Sequence, residues 1–196
     1  MCGLCGVLYL DGTPVDRAVL AAMNGCLLHR GPDQQRALTF DACGLANCRL
    51  AVLDLSPEAS LPMQSADGAI TVAYNGEIYN HLELRPDLEA RGHIFRTTSD
   101  VETLIALYRE HGPRFVEHLR GMFALALWDA PRRRLIVARD RLGKKPVYFH
   151  RTAQRIVFAS EIKALLQHPD VPRRFDHNQL PLLLAYGYVP APQTAF

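Results

Sequence analysis

The feature of this sequence that most restricts its fold is a central pair of predicted helices with short apolar runs on both sides. Apolar residues between 101 and 108 recur at helical spacing, and Gly112 is suited to end that helix. Apolar runs bounded by turn residues, such as 3–10 and 122–128, are typical of buried strands. This order predicts an α+β fold: a four-layer α/β/β/α sandwich of two mostly antiparallel sheets.

The other elements follow from apolar spacing and from turn and capping residues. Helices are expected over about 17–28, 81–91, 100–111, 113–119, 161–167 and 178–186. Strands are expected at 3–10, 36–40, 44–47, 49–53, 70–74, 93–97, 122–128, 135–139, 146–150 and 156–160. Residues 1–185 are predicted to form one domain, and the Pro-rich segment 186–196 is expected to begin a linker to a further domain.

Composition excludes several classes of protein. A chain of 196 residues with 48% apolar and 21% charged residues can build one sizeable core. A net charge of +2 argues against a dedicated nucleic-acid-binding protein. No apolar run approaches the roughly 20 residues of a membrane-spanning helix, so no membrane partner is expected. The five cysteines, without a secretory signal, predict a cytoplasmic location.

Cys2 directly follows Met1. Removal of Met1 would leave a residue with a thiol and a free α-amine, which titrates near ~7.7–8.0 and can accept the thiol proton. The alternatives are a small buried apolar residue, or a redox or zinc role for Cys2 with Cys5. A redox pair needs a following helix, whereas residues 6–10 resemble a strand, and zinc needs a second ligand pair that is missing. We therefore favour a catalytic N-terminal cysteine.

Five further positions are chemically suggestive. Asn75 and Gly76 follow an apolar strand and can provide oxyanion donors, although Asn-Gly is also a common hairpin turn. Asp100 starts a helix, where it either supports the cap or faces a ligand's ammonium group. Arg49 lies in an apolar run, as an edge residue or as a buried partner for a carboxylate. An arginine, acids including Glu77, and an oxyanion hole together fit an α-amino acid with a more distant carbonyl.

Together these motifs indicate a known family. The chain resembles the class II (N-terminal nucleophile) glutamine amidotransferase domain, specifically that of glutamine-hydrolysing asparagine synthetase. The resemblance runs in order through the whole chain, in blocks at residues 1–3, 29–33, 49–55, 74–80, 99–102, 121–124, 139–143, 159–165 and 186–192.

The resemblance implies a role for each candidate residue. It makes Cys2 the nucleophile, with its own amine as the base. Asn75 and the backbone N–H of Gly76 would form the oxyanion hole. The groups that hold glutamine would be Arg49 at the α-carboxylate, Glu77 and Asp100 at the α-amine, and backbone from Val52 and Leu53.

The sequence also departs from the family pattern. Asn47 stands where a histidine is expected, and Leu61 where a glutamine is usual; neither position is expected to carry chemistry. The Ser-Gly-Gly-x-Asp-Ser loop that binds ATP is absent. No cofactor is therefore expected in this chain, and ATP and Mg would belong to a missing synthetase domain, on the same polypeptide or a separate one. The oligomeric state, with a homodimer among the options, is not fixed.

The resulting hypothesis is a glutaminase domain that releases ammonia from glutamine, for ATP-dependent amidation of aspartate or a related acid. One alternative is a non-catalytic module of the same fold that serves a synthetase as a docking or regulatory partner. The other is an amidotransferase domain that serves a different acceptor.

Overall fold

The computed structural model describes residues 1–196 as two antiparallel sheets with helices on their outer faces. The predicted fold class is confirmed. The strands are β1 (Gly3–Tyr9), β2 (Gln34–Phe40), β3 (Cys43–Arg49), β4 (Met63–Gln64), β5 (Ile70–Ile78), β6 (Gly121–Asp129), β7 (Arg134–Arg139), β8 (Tyr148–Arg151) and β9 (Arg155–Ala159). The α-helices are α1 (Arg17–Gly25), α2 (His81–Ala90), α3 (Asp100–His111), α4 (Ile162–Leu165) and α5 (Leu180–Tyr186).

One sheet has five strands in the order β2-β3-β1-β9-β8, and the other has four in the order β4-β5-β6-β7. Every pairing is antiparallel. Three apolar clusters separate four layers. One cluster lies between α1, α4 and the five-stranded sheet, the second between the two sheets, and the third between the four-stranded sheet and α2 and α3.

Local sequence explains where the two best-defined helices begin. The Asp16 side chain accepts a hydrogen bond from the Ala18 N–H at 2.7 Å and caps α1. Ser99 does the same for α3 through Val101. The longest helix, α3, has 12 residues, and none of the helices has both the length and the apolar character required to cross a bilayer.

The strand predicted at 49–53 is wrong, because β3 ends at Arg49. At this end β2 begins opposite Arg49 and β1 begins opposite Cys48, so no neighbouring strand remains to pair with the following residues. Residues 50–55 form an irregular loop instead. This loop borders the site described below.

The strand predicted at 93–97 is also wrong. The backbone N–H groups of Arg96 and Thr97 donate to the carboxylate of Glu102 on α3, at 3.0 and 2.7 Å, rather than to another strand. Apolar spacing cannot distinguish a short strand from a loop that a side chain holds in place.

β5 does not stop at Asn75-Gly76 as predicted. It continues to Ile78, with Asn75 opposite Ala124 and Gly76 opposite Phe123 on β6. The Asn-Gly pair is therefore not a hairpin turn. It lies inside a paired strand, where its conformation is fixed by the sheet.

Candidate active site

The predicted reacting residues come from three strands whose inner faces look toward each other. Leu4, Leu45 and Ala73 belong to the apolar cluster between the sheets. Side chains alternate along a strand, so residues two or four positions away share that face. The rule places Cys2, Arg49, Asn75 and Glu77 on the same inner faces, at one end of the sandwich.

The Cys2 thiol lies against the loop that follows β3. The Leu50 N–H donates to Cys2 Sγ at 3.4 Å, and the Sγ–H group faces the Leu50 carbonyl at 3.6 Å. Burial is the main reason that the pKa of this thiol is raised, and the Leu50 hydrogen bond and the positive charge of Arg49 oppose that rise. A thiol in this state needs a base to become a nucleophile.

The backbone beside the thiol is also held. Arg30 Nε donates to the Cys2 carbonyl at 3.0 Å, and Arg30 Nη1 donates to Glu161 at 2.8 Å. Glu161 also contacts His29 and Lys163. Its burial would raise the pKa of its carboxyl group, but the hydrogen bonds from Arg30, His29 and Lys163 outweigh this and lower that pKa to about 2. A charged network therefore fixes the peptide unit of the nucleophile.

The free edge of β5 carries the oxyanion donor that sequence reasoning proposed. The backbone groups of its even-numbered residues point away from β6. The contacts of Ile70 with Ser65 and of Tyr74 with Asn47, both made at the edge opposite β6, show this. The Ile78 N–H, on the same side, donates to Asp100 at 2.8 Å. The Gly76 N–H points to this edge as well, and β4 pairs only with residues 71 and 72. The donor therefore faces a place without an opposing strand.

Gly76 could not carry a side chain here. An added Cβ would lie 2.3 Å from the Met122 carbonyl oxygen and 2.6 Å from Phe123 Cα, both backbone atoms of β6. Its neighbour Asn75 is 1% exposed, and the buried Nδ2 atom of its amide has no hydrogen-bond partner. A buried amide without a partner is costly, so this group is available to a ligand oxygen.

The two predicted acids occupy different settings. Asp100 is buried at the start of α3 and accepts from the Tyr74 hydroxyl at 2.7 Å and from the Ile78 N–H at 2.8 Å. Burial raises the pKa of Asp100. Burial also raises the pKa of Glu77, with a further rise from the Asp100 charge that Lys145 opposes. Two neighbouring acids on one side of a cleft suit a positively charged group.

Arg49 is buried at the end of β3, and its guanidinium donates to the carbonyls of Asp54 and Ser56. It makes no ion pair with a carboxylate of the chain, so its positive charge is uncompensated by direct contact. Val52 and Leu53 expose 65% and 49% of their surface, and their backbone groups make no hydrogen bonds. Those backbone groups are free for a ligand, as the predicted lining role requires.

Three neighbours of the site had no predicted role. Arg30 lies within the motif block at residues 29–33, and no local sequence pattern indicates its contact with the Cys2 carbonyl. Asn47 shares the inner face of β3 with Arg49, and that alternation is a signal the sequence contains. Lys145 is buried, and its ammonium group donates to the Met1 sulfur at 3.1 Å.

Other concave features lie away from these residues. A cavity of about 450 Å³ opens beside α3, and another of about 610 Å³ opens between β7 and β8. Neither is lined by a predicted catalytic or glutamine-binding residue. No cluster of three His, Cys, Asp or Glu side chains could hold a metal ion.

Solved structures support the fold. The chain matches a glutamine phosphoribosylpyrophosphate amidotransferase from B. subtilis with a TM-score of 0.68 and 22% identity, over 84% of this chain and 43% of that one. Two antiparallel sheets with outer helices are therefore a fold that this chain shares with that amidotransferase.

The sequence comparisons identify the family. The family model described as "Glutamine amidotransferase domain" matches residues 1–196. Asparagine synthetase [glutamine-hydrolyzing] 2 of Bacillus subtilis (strain 168) is 39% identical over 182 residues, 91% of this chain and 24% of its own length. Asparagine synthetase [glutamine-hydrolyzing] 3 of Arabidopsis thaliana is 42% identical over 167 residues, 84% of this chain and 28% of its own length.

This chain belongs to the glutamine amidotransferase domain family and is homologous to the corresponding domains of glutamine-hydrolysing asparagine synthetases. It spans between about a quarter and a third of the length of the three asparagine synthetases of Bacillus subtilis (strain 168) that it matches.

Proposed function

We propose that this domain hydrolyses glutamine at Cys2 and releases ammonia. The observation that carries the proposal is a pair of hydrogen-bond donors on β5 that no group of the chain uses. They are the Asn75 side-chain amide, which has no partner, and the Gly76 N–H at the open edge of β5. Donors prepared in advance for a developing oxyanion are the largest single contribution in many acyl-transfer enzymes.

The chemistry needs only groups of this chain. After Met1 is removed, the α-amine of Cys2 accepts the thiol proton, and the sulfur attacks the amide carbon of glutamine. Asn75 and Gly76 stabilise the resulting oxyanion. The ammonium returns its proton to the leaving nitrogen, which departs as ammonia and leaves a γ-glutamyl thioester. Water, deprotonated by the same amine, then attacks the thioester carbon, releases glutamate and restores the thiol.

Recognition of glutamine involves the remaining residues. Arg49 binds the α-carboxylate, which is consistent with a buried guanidinium that has no carboxylate partner. Glu77 and Asp100 bind the α-ammonium group, and the free backbone of Val52 and Leu53 contacts the substrate. These roles are the ones that the resemblance implies, and the contacts described above support them.

The whole protein's reaction is a further part of the proposal. The named activity of the relatives supports delivery of the ammonia to a synthetase domain, which would use ATP and Mg to activate aspartate or a related acid. The partner is that synthetase domain, and a homodimer is compatible with it. A cytoplasmic location is consistent with five free cysteines. Residues 186–196 are proposed to begin the linker.

The test compares glutamate release by the wild-type protein, Cys2→Ala and the control Cys26→Ala, a half-buried cysteine at the end of α1. We expect activity in the wild type and in Cys26→Ala and none in Cys2→Ala. Equal release from Cys2→Ala and wild type would refute the proposal. Mass spectrometry of the active protein should find Cys2 as its first residue, and an uncleaved tag ahead of Cys2 should abolish activity.

Two outcomes would favour the alternatives. Calorimetric binding of glutamine without turnover in a protein that lacks Met1 would indicate a non-catalytic module. Normal glutamate release combined with no stimulation by aspartate and ATP in the whole protein would indicate a different acceptor.

A further inference from the structure

Asn47 connects the two halves of the proposed active site. Its side chain lies on the inner face of β3 and is completely buried. Asn47 Nδ2 donates to the Gly3 carbonyl at 2.8 Å and to the Tyr74 carbonyl at 2.9 Å. Asn47 Oδ1 accepts from the Tyr74 N–H at 2.9 Å. One amide therefore binds β1 of one sheet and β5 of the other.

The residues that this amide holds are the immediate neighbours of the reacting groups. Gly3 follows Cys2, and Tyr74 precedes Asn75. The bond pair to Tyr74 takes the place of a neighbouring strand, because β4 pairs only with residues 71 and 72 of β5. Backbone N–H and C=O groups alternate between the two edges of a strand, so those of Tyr74, which bond to Asn47, and those of Gly76 point to the same edge of β5. The position of the Gly76 N–H relative to Cys2 thus depends on how β5 is held at Tyr74.

We propose that Asn47 is a positioning residue that sets the oxyanion donors of β5 at the correct distance from the Cys2 sulfur. The inference rests on the proposed glutaminase function. Asn47 touches neither glutamine nor the reacting atoms, and it acts through the two peptide units that it joins. Asn47 joins the two sheets, whereas Arg30 bonds to the Cys2 carbonyl and does not link it to β5.

Asn47→Leu tests this role, because leucine has a similar shape and removes all three hydrogen bonds. We expect kcat for glutamine hydrolysis to fall about 10²-fold, the loss that a 1 Å misplacement in an active site can cause. KM should change less than about threefold, because a contact made only in the transition state does not affect ground-state binding. Asn47→Ser, with one short hydroxyl, should show the same pattern if the leucine variant does not fold.

A second measurement separates positioning from general disruption. Iodoacetamide alkylates the thiol when the sulfur displaces iodide from a saturated carbon, so no oxyanion forms. The rate of Cys2 alkylation should therefore stay within about twofold of wild type in the Asn47 variants, because the thiol and its base are unchanged. Selective loss of glutamine hydrolysis is the expected signature.

Asn24→Ser provides the matched control. Asn24 is a buried asparagine of α1 that donates to the Asn47 carbonyl at 3.3 Å from the opposite face of β3, and the hydrogen bonds of its side chain reach only residues of β3. The Asn24→Ser substitution should lower the melting temperature of the protein while leaving kcat near the wild-type value.

Unchanged kcat in folded Asn47→Leu would overturn the inference, and so would a parallel loss of hydrolysis and alkylation. Failure of the proposed function would look different, because the wild-type protein itself would then lack glutaminase activity.

Discussion

β5 and the loop at residues 50–55 both border the Cys2 thiol, but they are built in opposite ways. β5 is paired with β6 along its length, and its outer edge is held by β4, Asn47 and Asp100 in turn. The loop has no strand partner, and most of its apolar side chains are exposed. The loop is held by hydrogen bonds to side chains, such as that from the Ala51 N–H to the Asp33 carboxylate.

The difference assigns separate tasks to the two regions. Donors for a transition state must be held within a fraction of an ångström, which a paired strand achieves. A loop with free backbone groups can close around a substrate and open again for product release. Substitution of the proposed oxyanion donors on β5 should therefore affect kcat. Substitutions at the loop, or at the proposed glutamine-binding residues Arg49, Glu77 and Asp100, should affect KM.

The largest effect is expected for Asn75→Ala. Loss of one oxyanion donor should lower kcat about 10²–10³-fold, with little change in KM. Steady-state measurement of glutamate release checks this. Asn80→Ala is the control, because Asn80 is a buried asparagine just after β5 that bonds to His118 and Arg120 instead. A rise in KM without loss of kcat in Asn75→Ala would contradict the division of tasks.

Arg49→Lys should produce the complementary result. A lysine keeps the charge but not the planar pair of donors, and hydrogen bonds to charged groups contribute about 1.5–3 kcal/mol. We therefore expect KM for glutamine to rise roughly 10- to 10²-fold, with kcat changed far less. Arg36→Lys on β2, where Arg36 donates to the Pro62 carbonyl, is the matched control. Equal effects of the two variants would remove the special role of Arg49.

Glutamine binding should weaken as the pH falls. The pKa values of Glu77 and Asp100 are raised, and only their ionised forms attract the substrate ammonium. KM should therefore rise on acidification, by at most about tenfold per pH unit for each group. Asp100→Asn removes a charge that raises the pKa of Glu77, so the remaining dependence should move to lower pH. An unshifted KM–pH profile in this variant would argue against coupling of the two acids.

The smallest effect is expected for Val52→Ala. The Val52 side chain is exposed, so kcat/KM should change by about 0.5 kcal/mol or less. Leu53→Pro removes a backbone N–H from the same loop and should raise KM if that group contacts glutamine. Kinetics of the two variants together show whether the loop acts through its backbone. A larger effect of Val52→Ala than of Leu53→Pro would indicate a side-chain role.

The fold class could be predicted because strands and helices of this chain alternate in a clear order, with recognisable caps at Asp16 and Ser99. Strand ends could not, since pairing decides them. β3 ends where β1 and β2 begin opposite it, and β5 continues past Asn75 because β6 continues opposite it. The polar residues Asn75 and Glu77 inside β5 make the sequence resemble a turn, although both residues are paired with β6.

The site could be predicted residue by residue only where a motif marks it. Resemblance supplied roles for Cys2, Arg49 and Asn75, whose functions remain predictions. The resemblance gives no role to Asn47, because its proposed role depends on hydrogen bonds to Tyr74, which is 27 positions away and in the other sheet. Alternation along β3 could have directed attention to its inner face, but no local pattern could have named its partner.

The shortness of β4, only two residues, has a consequence for the evolution and engineering of this scaffold. An unfinished sheet is normally a hazard, because bare peptide groups invite aggregation. Here the unfinished portion leaves the Gly76 N–H, a proposed oxyanion donor, open to a substrate, since a longer β4 would bond this N–H to a carbonyl. In the register that pairs Met63 with Val72, Ala59 would lie opposite Gly76, so extending β4 by four residues would complete this edge and, on the proposed mechanism, abolish catalysis.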